Sequence, residues 1–193
     1  KITALEPSAD MRAAAAREPH SGAAIDYVEG ASDALPASPG EIGLILVAQA
    51  LHWFDRPAFN AQAGGVLIPG GALAILYNDR DSTTPLIQAF EALMEAEVAA
   101  YSRDYRNFDY VAEMRALAWT STVEVHEAHW HRRLSVEAFA GLMLSRANTK
   151  SYLERVGADT ARRRVEGLAS DHADDGIIRL GYRTRVAIAV RGA

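Results

Sequence analysis

Ile42-Gly43-Leu44-Ile45-Leu46-Val47-Ala48-Gln49-Ala50-Leu51-His52-Trp53-Phe54 decides how the rest of the chain is read. Its first seven residues form a nearly continuous aliphatic run, the pattern of a strand buried on both faces of a parallel sheet. The run stops where polar and aromatic groups gather at Gln49, His52 and Trp53. Ligands of open α/β sheets bind beyond the carboxyl ends of the strands, so these residues are placed to face one. Trp53 and Phe54 also read as core or lid packing, the better reading for Phe54.

Downstream, a helix is expected from Pro57 to Leu67, although Gly64 and Gly65 inside it cost roughly 1 kcal/mol each relative to alanine. Pro69-Gly70-Gly71 then makes a tight turn into a second buried strand, Ala72 to Tyr77. Upstream, Ile2 to Leu5 is a short strand that stops at Glu6-Pro7-Ser8, because a proline disfavours helix in the residue before it. Ser8 is placed to cap the alanine-rich helix Ala9 to Arg17. Ala24 to Glu29 alternates as a strand does and closes at Gly30. A turn-rich segment, Ser32 to Glu41, follows. This alternation predicts an α/β fold with a mostly parallel, doubly wound, Rossmann-like sheet.

The second half changes character. Helices are expected at Pro85–Tyr101, Val111–Trp119, Val136–Ser145, Thr149–Val156 and Thr160–Ser170. Strands are expected at Thr120–Trp130 and Tyr182–Val190. We read the whole as a single domain over 1–193, with 80–118 and 134–176 as helical cap segments.

Three segments carry chemistry. Glu6 is an acid at the carboxyl end of a strand, where nucleotide-type α/β folds place a carboxylate that accepts hydrogen bonds from both ribose hydroxyls. Taken alone it reads more readily as a solvent-exposed acid in a strand-to-helix turn. Ser32-Asp33-Ala34, after the next strand, offers an acid for an adenine amine and a backbone N–H for a ring nitrogen, although Ser-Asp is also a generic turn pair. His52, at the third strand end, is either a general base or a structural hydrogen-bonding group. Of His126, His129 and His131, only His129 and His131 share a strand face. Two ligands do not close a metal site, so no metal is expected. Arg162-Arg163-Arg164 reads as one exposed side of a helix.

These segments, followed by Val66-Leu67-Ile68-Pro69-Gly70-Gly71, resemble the class I S-adenosylmethionine-dependent methyltransferases of the small-molecule type. Gln49-Ala50-Leu51-His52-Trp53-Phe54 is similar to the strand end of the trans-aconitate methyltransferase-like group. The resemblance is detailed from Ile2 to Tyr77 and looser at Leu134–Arg146 and Tyr182–Val186. It implies S-adenosyl-L-methionine as cofactor, with Glu6 on the ribose, Ser32, Asp33 and the Ala34 backbone at adenine, and Gln49 on the methionine side. His52, Trp53 and Tyr77 would border the acceptor, a small molecule methylated through oxygen, and the final strands would pair antiparallel. The helical stretches after Tyr77 would cap the pocket. Ile68 stands where relatives usually carry a basic residue. The group's first strand and Gly-x-Gly-x-Gly loop have no counterpart in the chain. The expectation is that they precede Lys1, in the middle of the sheet, and that the chain without them binds cofactor poorly.

Composition narrows the alternatives. The 193 residues carry a net charge of −5, without the basic excess of a nucleic-acid-binding surface. Cysteine is absent, which excludes disulfides and thiolate catalysis and fits the reducing cytoplasm. No apolar run approaches the roughly 20 residues that span a bilayer. A nicotinamide-dependent oxidoreductase also uses a strand-end acid, but the two segments after Val47 argue against it. A non-catalytic methyltransferase-like binding or regulatory protein stays open.

Overall fold

The computed structural model describes residues 1–18, 22, 24–99, 101–103 and 108–193. In chain order the elements are β1 (Ile2–Leu5), α1 (Ala9–Ala15), β2 (Ile25–Val28), β3 (Ile42–Ala48), α2 (Arg56–Val66), β4 (Leu67–Arg80) and α3 (Pro85–Glu97). There follow α4 (Tyr110–Arg115), β5 (Thr120–Ser135), α5 (Val136–Leu144), α6 (Lys150–Val156), α7 (Ala158–Ser170) and β6 (Ile177–Arg191). Short 3-10 turns cover Leu51–Trp53 and Ala147–Thr149.

The fold is α/β. β1 and β2 pair in parallel, with Ile2 opposite Ile25 and Leu5 opposite Val28. The other four strands form a sheet in the order β3-β4-β6-β5. Just ahead of β3, the Glu41 N–H donates to Val66 O at 2.9 Å. Further on, Gly71 lies against the Ile42 and Gly43 carbonyls, so contacts advance in the same sense along β3 and β4. β6 is the antiparallel member. Gly192 N–H reaches Trp119 O at 2.9 Å, whereas Arg179 Nη2 lies 3.2 Å from His131 Nδ1. Asp81 N–H likewise reaches Gly181 O at 2.9 Å.

Local chemistry explains the helix starts. Ser8 Oγ accepts the Met11 N–H at 3.4 Å, as expected of an N-cap, and Asp55 and Ser135 cap α2 and α5 in the same way. Pro57 and Pro85 sit in the first turns of α2 and α3, where their missing N–H costs nothing. The α3 helix ends at Glu97, short of the expected Tyr101; Ala100 lies outside the described residues. The expected Pro69-Gly70-Gly71 turn is absorbed into the longer β4, with Gly70 at φ +75°. β3 departs most from expectation. Val47 is buried, but Leu44 and Leu46 are each 60% exposed. They share a strand face by alternation, and no described element covers that face.

The chain forms two compact units, and β4, β5 and β6 each run through both. The first comprises Lys1–Ile75, Tyr110–Glu124 and Ala187–Ala193, and the second Leu76–Asp109 and Val125–Val186. The 134–176 cap segment lies in the second unit. The 80–118 segment is divided between the two, and it includes 100 and 104–107, which lie outside the described residues.

In the first unit, Phe59, Ala63, Leu67, Leu73 and Ile75 are buried, and Phe54 packs edge-on against Phe59 at 4.9 Å. α2 also seats an indole. A Cβ on Gly64 would lie 2.2 Å from Trp119 Cδ1, and Trp119 Nε1 donates to Asn60 O at 3.0 Å. The glycine costs helix propensity, and its missing side chain is the space the ring fills.

In the second unit, Phe90, Met94, Phe139, Met143, Tyr152 and Val165 are fully buried in one cluster. Beside it Arg146 Nη1 pairs with Glu91 Oε1 at 3.1 Å, both side chains 13% exposed, and Tyr101 donates to Glu91 Oε2 at 2.6 Å. Burial, and secondly that donated hydrogen bond, push the Tyr101 phenol above its ordinary range. Glu97 at the end of α3 receives both Arg155 of α6 and Arg164 of α7. Thus one of the three consecutive arginines ties helices together, while Arg162 pairs with Glu166 one turn on.

Gly64→Ala is expected to lower stability by about 1–3 kcal/mol through overpacking against Trp119. Gly65→Ala, with nothing within 4 Å of its Cβ, should raise stability by roughly 0.5–1 kcal/mol. Urea denaturation midpoints of the two variants would move in opposite directions; a gain for both would refute the packing role of Gly64.

Candidate functional site

The parallel register of β1 and β2 brings two of the predicted segments together. Leu5 lies opposite Val28, and the Glu6 N–H extends the pairing by donating to Val28 O at 3.2 Å. Glu6 and the Gly30–Ala34 loop therefore leave the sheet side by side. Gly30 permits this, because a Cβ there would meet Leu5 Cδ2 at 3.0 Å.

The Glu6 carboxylate is partly committed. Its Oε1 accepts the Ser8 N–H at 2.9 Å, a local turn that orients the side chain at the start of α1. Arg12 braces the same corner: Nη1 donates to the carbonyls of Glu6 at 2.6 Å and Pro7 at 2.9 Å, and Nη2 reaches Glu29 Oε2 at 3.1 Å. An ionised carboxylate holds about four acceptor positions, so one N–H leaves it able to take two hydroxyl donors.

The Ser32–Leu35 loop is held from α2. Gln62 Nε2 donates to Asp33 O at 2.8 Å, and Gln62 Oε1 accepts the Leu35 N–H at 3.1 Å. Both ends of one amide thus grip one loop. The Asp33 side chain is exposed, Ser32 is half-buried, and the Ala34 N–H points at Ala31 O over a long 3.4 Å. Sequence reasoning missed Gln62, Arg12 and Glu29. Gln62 lies 27 and 29 residues from its partners, beyond the reach of any local pattern.

The third segment is a sharp exit from β3. Gln49 has φ +56°, in the left-handed region that non-glycine residues seldom enter and that costs roughly 1–2 kcal/mol. Such strain persists where the surroundings impose it and clusters at functional positions. His52 and Trp53 follow in a 3-10 turn, their rings 4.8 Å apart and tilted by 42°. His52 is half-buried and Trp53 is 71% exposed. Tyr77 belongs to the second unit, where it is buried in β4 at 4% exposure.

A groove of about 580 Å³ opens along α2 and α4, lined by Arg56, Asn60, Glu113, Leu117 and Trp119 among others. Arg56 Nε and Glu113 Oε2 pair across it at 2.9 Å. None of the predicted site residues lines it. The histidines of β5 are exposed, and among the described residues no three His, Asp or Glu side chains converge as metal ligands. Nor is any described helix long and apolar enough to cross a membrane.

Known proteins resemble the chain in sequence over its first part and in fold over its length. Residues 1–75 match a methyltransferase domain family. An uncharacterized methyltransferase of Mycobacterium tuberculosis H37Rv is 27% identical over 119 residues, which are 61% of this chain and 45% of the relative. The chain therefore spans a little under half the length of that curated relative. Among solved structures, a protein of Anaeromyxobacter dehalogenans named as a type II methyltransferase superposes with a TM-score of 0.66 at 18% identity, over 100% of this chain and 80% of its own. One from Bacillus halodurans, named as a methyltransferase, gives 0.53 at 14% identity, over 100% and 83%. The fold is that of these proteins.

Gln62→Ala removes both loop hydrogen bonds. Amide exchange at Leu35 should accelerate by roughly tenfold or more, following the loss of hydrogen bonds worth about 1 kcal/mol each. Unchanged exchange at Leu35 would mean that the loop is held by other contacts.

Proposed function

We propose that this chain is part of an S-adenosylmethionine-dependent methyltransferase acting on a small-molecule acceptor, through an oxygen atom, and related to the trans-aconitate methyltransferase-like group. The observation that carries the reading is the pairing of β1 with β2, which sets Glu6 beside the Asp33 loop in a fold shared with proteins named as methyltransferases. Bound S-adenosylmethionine would supply an activated methyl group on a sulfonium with a neutral leaving group.

The residues present fit one end of that cofactor. Glu6 retains acceptor positions for two ribose hydroxyls, and the exposed Asp33 carboxylate can accept from an exocyclic amine. The Ala34 N–H would exchange its long contact with Ala31 for a ring nitrogen. Gln62 and Arg12 act as braces that fix these groups before binding, so less ordering entropy is lost. Gln49, in its strained turn, would line the methionine side. No Gly-x-Gly-x-Gly run occurs in the sequence.

Methyl transfer to oxygen depends mainly on position and in-line approach. Within that scheme His52 would accept the proton from a hydroxyl or carboxyl acceptor, and Trp53 would shield the acceptor from water.

Titration calorimetry of the full-length protein with S-adenosylmethionine and S-adenosylhomocysteine tests the proposal, with nicotinamide dinucleotides as the competing ligands. Glu6→Ala should weaken sulfonium-cofactor binding about 10- to 100-fold, matching the loss of charge-assisted hydrogen bonds. Binding of neither sulfur ligand, or preferential binding of a nicotinamide cofactor, would overturn the reading. Tight binding with no methyl transfer to any hydroxy- or carboxy-acceptor would assign the chain to a non-catalytic binding protein instead.

A further inference from the structure

β5 is the outermost strand of the β3-β4-β6-β5 sheet, so among the described residues its outer edge has no partner strand. The strand is also well exposed: every residue from His126 to Arg133 is exposed. Long exposed edges invite pairing with another strand, and proteins usually blunt them with charges that repel an incoming copy. The charges here are instead segregated by sign. Glu124 and Glu127 lie toward the start, and His129, His131, Arg132 and Arg133 toward the end.

We propose that β5 is the interface of a two-fold symmetric dimer, in which the strand pairs antiparallel with its own copy about Ala128. In that register Glu124 lies opposite Arg132, Glu127 opposite His129, and His126 opposite Trp130. Ala128 faces itself on the axis, where its small side chain allows the strands to close. Each of these pairs occurs twice, as a symmetric interface requires. Shifting the register by two residues in one direction sets Glu127 against itself. A shift in the other sets His129 against itself and His126 against Arg132. Only the register centred on Ala128 opposes acid to base at both glutamates.

Two further observations fit. Among the described residues neither Arg132 nor Arg133 has an ion-pair partner within the chain, although Arg185 is paired with Glu127 at 3.1 Å. Trp130 is 43% exposed yet held rigid, stacked on Tyr182 at 4.6 Å and 12° with Nε1 donating to Thr184 Oγ1 at 2.8 Å. A fixed, half-exposed indole on an open edge loses little conformational freedom when a partner covers it. The proposal is independent of the methyl-transfer reading.

Sedimentation equilibrium of the full-length protein tests it. The wild type should dimerise, more weakly at high salt because the opposed charges are screened. Glu124→Arg alone and Arg132→Glu alone should each weaken the dimer about tenfold or more, since each change places like charges opposite one another at two symmetric points. The double variant Glu124→Arg/Arg132→Glu should return the dissociation constant to within about threefold of wild type. Circular dichroism of each variant separates a lost interface from a lost fold. A wild type that stays monomeric, single variants that dimerise unchanged, or a correctly folded double variant that fails to recover would each overturn the proposal.

Discussion

The indole of Trp119 occupies the space where Gly64 has no side chain, and much of the first unit is organised from that contact. It fixes one face of α2, and the other attachments of α2 are then set. Asp55 caps its start, its last carbonyls receive the N–H groups of Gly40 and Glu41 ahead of β3, and Gln62 reaches out to the Asp33 loop. A helix that packs against Trp119, anchors the start of β3 and grips the Asp33 loop cannot shift without moving all three. The Asp33 loop is thus held, through Gln62, by the helix against which Trp119 packs.

Much of the architecture was legible in the residues because its signals are local. Ser8 caps where expected, and the α3 residues Leu86, Phe90 and Met94 are buried at helical spacing. The antiparallel partnership of β5 and β6 followed from resemblance, not from spacing. β3 shows the limit of composition: an aliphatic run signals that a strand favours burial, but not that anything covers it. Leu44 and Leu46 carry that signal and are exposed. The cost of the glycines in α2 was also readable, whereas the reason for Gly64 lay with a ring 55 positions further along the sequence.

The candidate site was legible in a narrower sense. Strand ends identified Glu6, Asp33 and His52 as positions, because the polarity of an α/β sheet gives each strand one functional end. What braces those positions was hidden. Arg12 and Gln62 contribute through backbone carbonyls and amides, groups that every residue carries and that leave no compositional trace. The left-handed turn at Gln49 was equally silent, since a glutamine gives no warning of a positive φ. In the second unit, Glu97 gathers Arg155 and Arg164 from two helices, so a run of arginines that looked like a solvated face is partly structural.

The three tryptophans fall in three different settings. Trp53 stands mostly in water at the end of the 3-10 turn, Trp119 is wedged beneath α2, and Trp130 lies stacked on the outer strand. Their emission therefore separates by environment without any added label. Trp53, the most exposed of the three, is the indole a soluble quencher reaches first and would report on the end of β3, while Trp119, packed against α2, would report on the seating of that helix. The molecule carries, in its own aromatic residues, an optical readout that distinguishes an event at the site from a disturbance of its support.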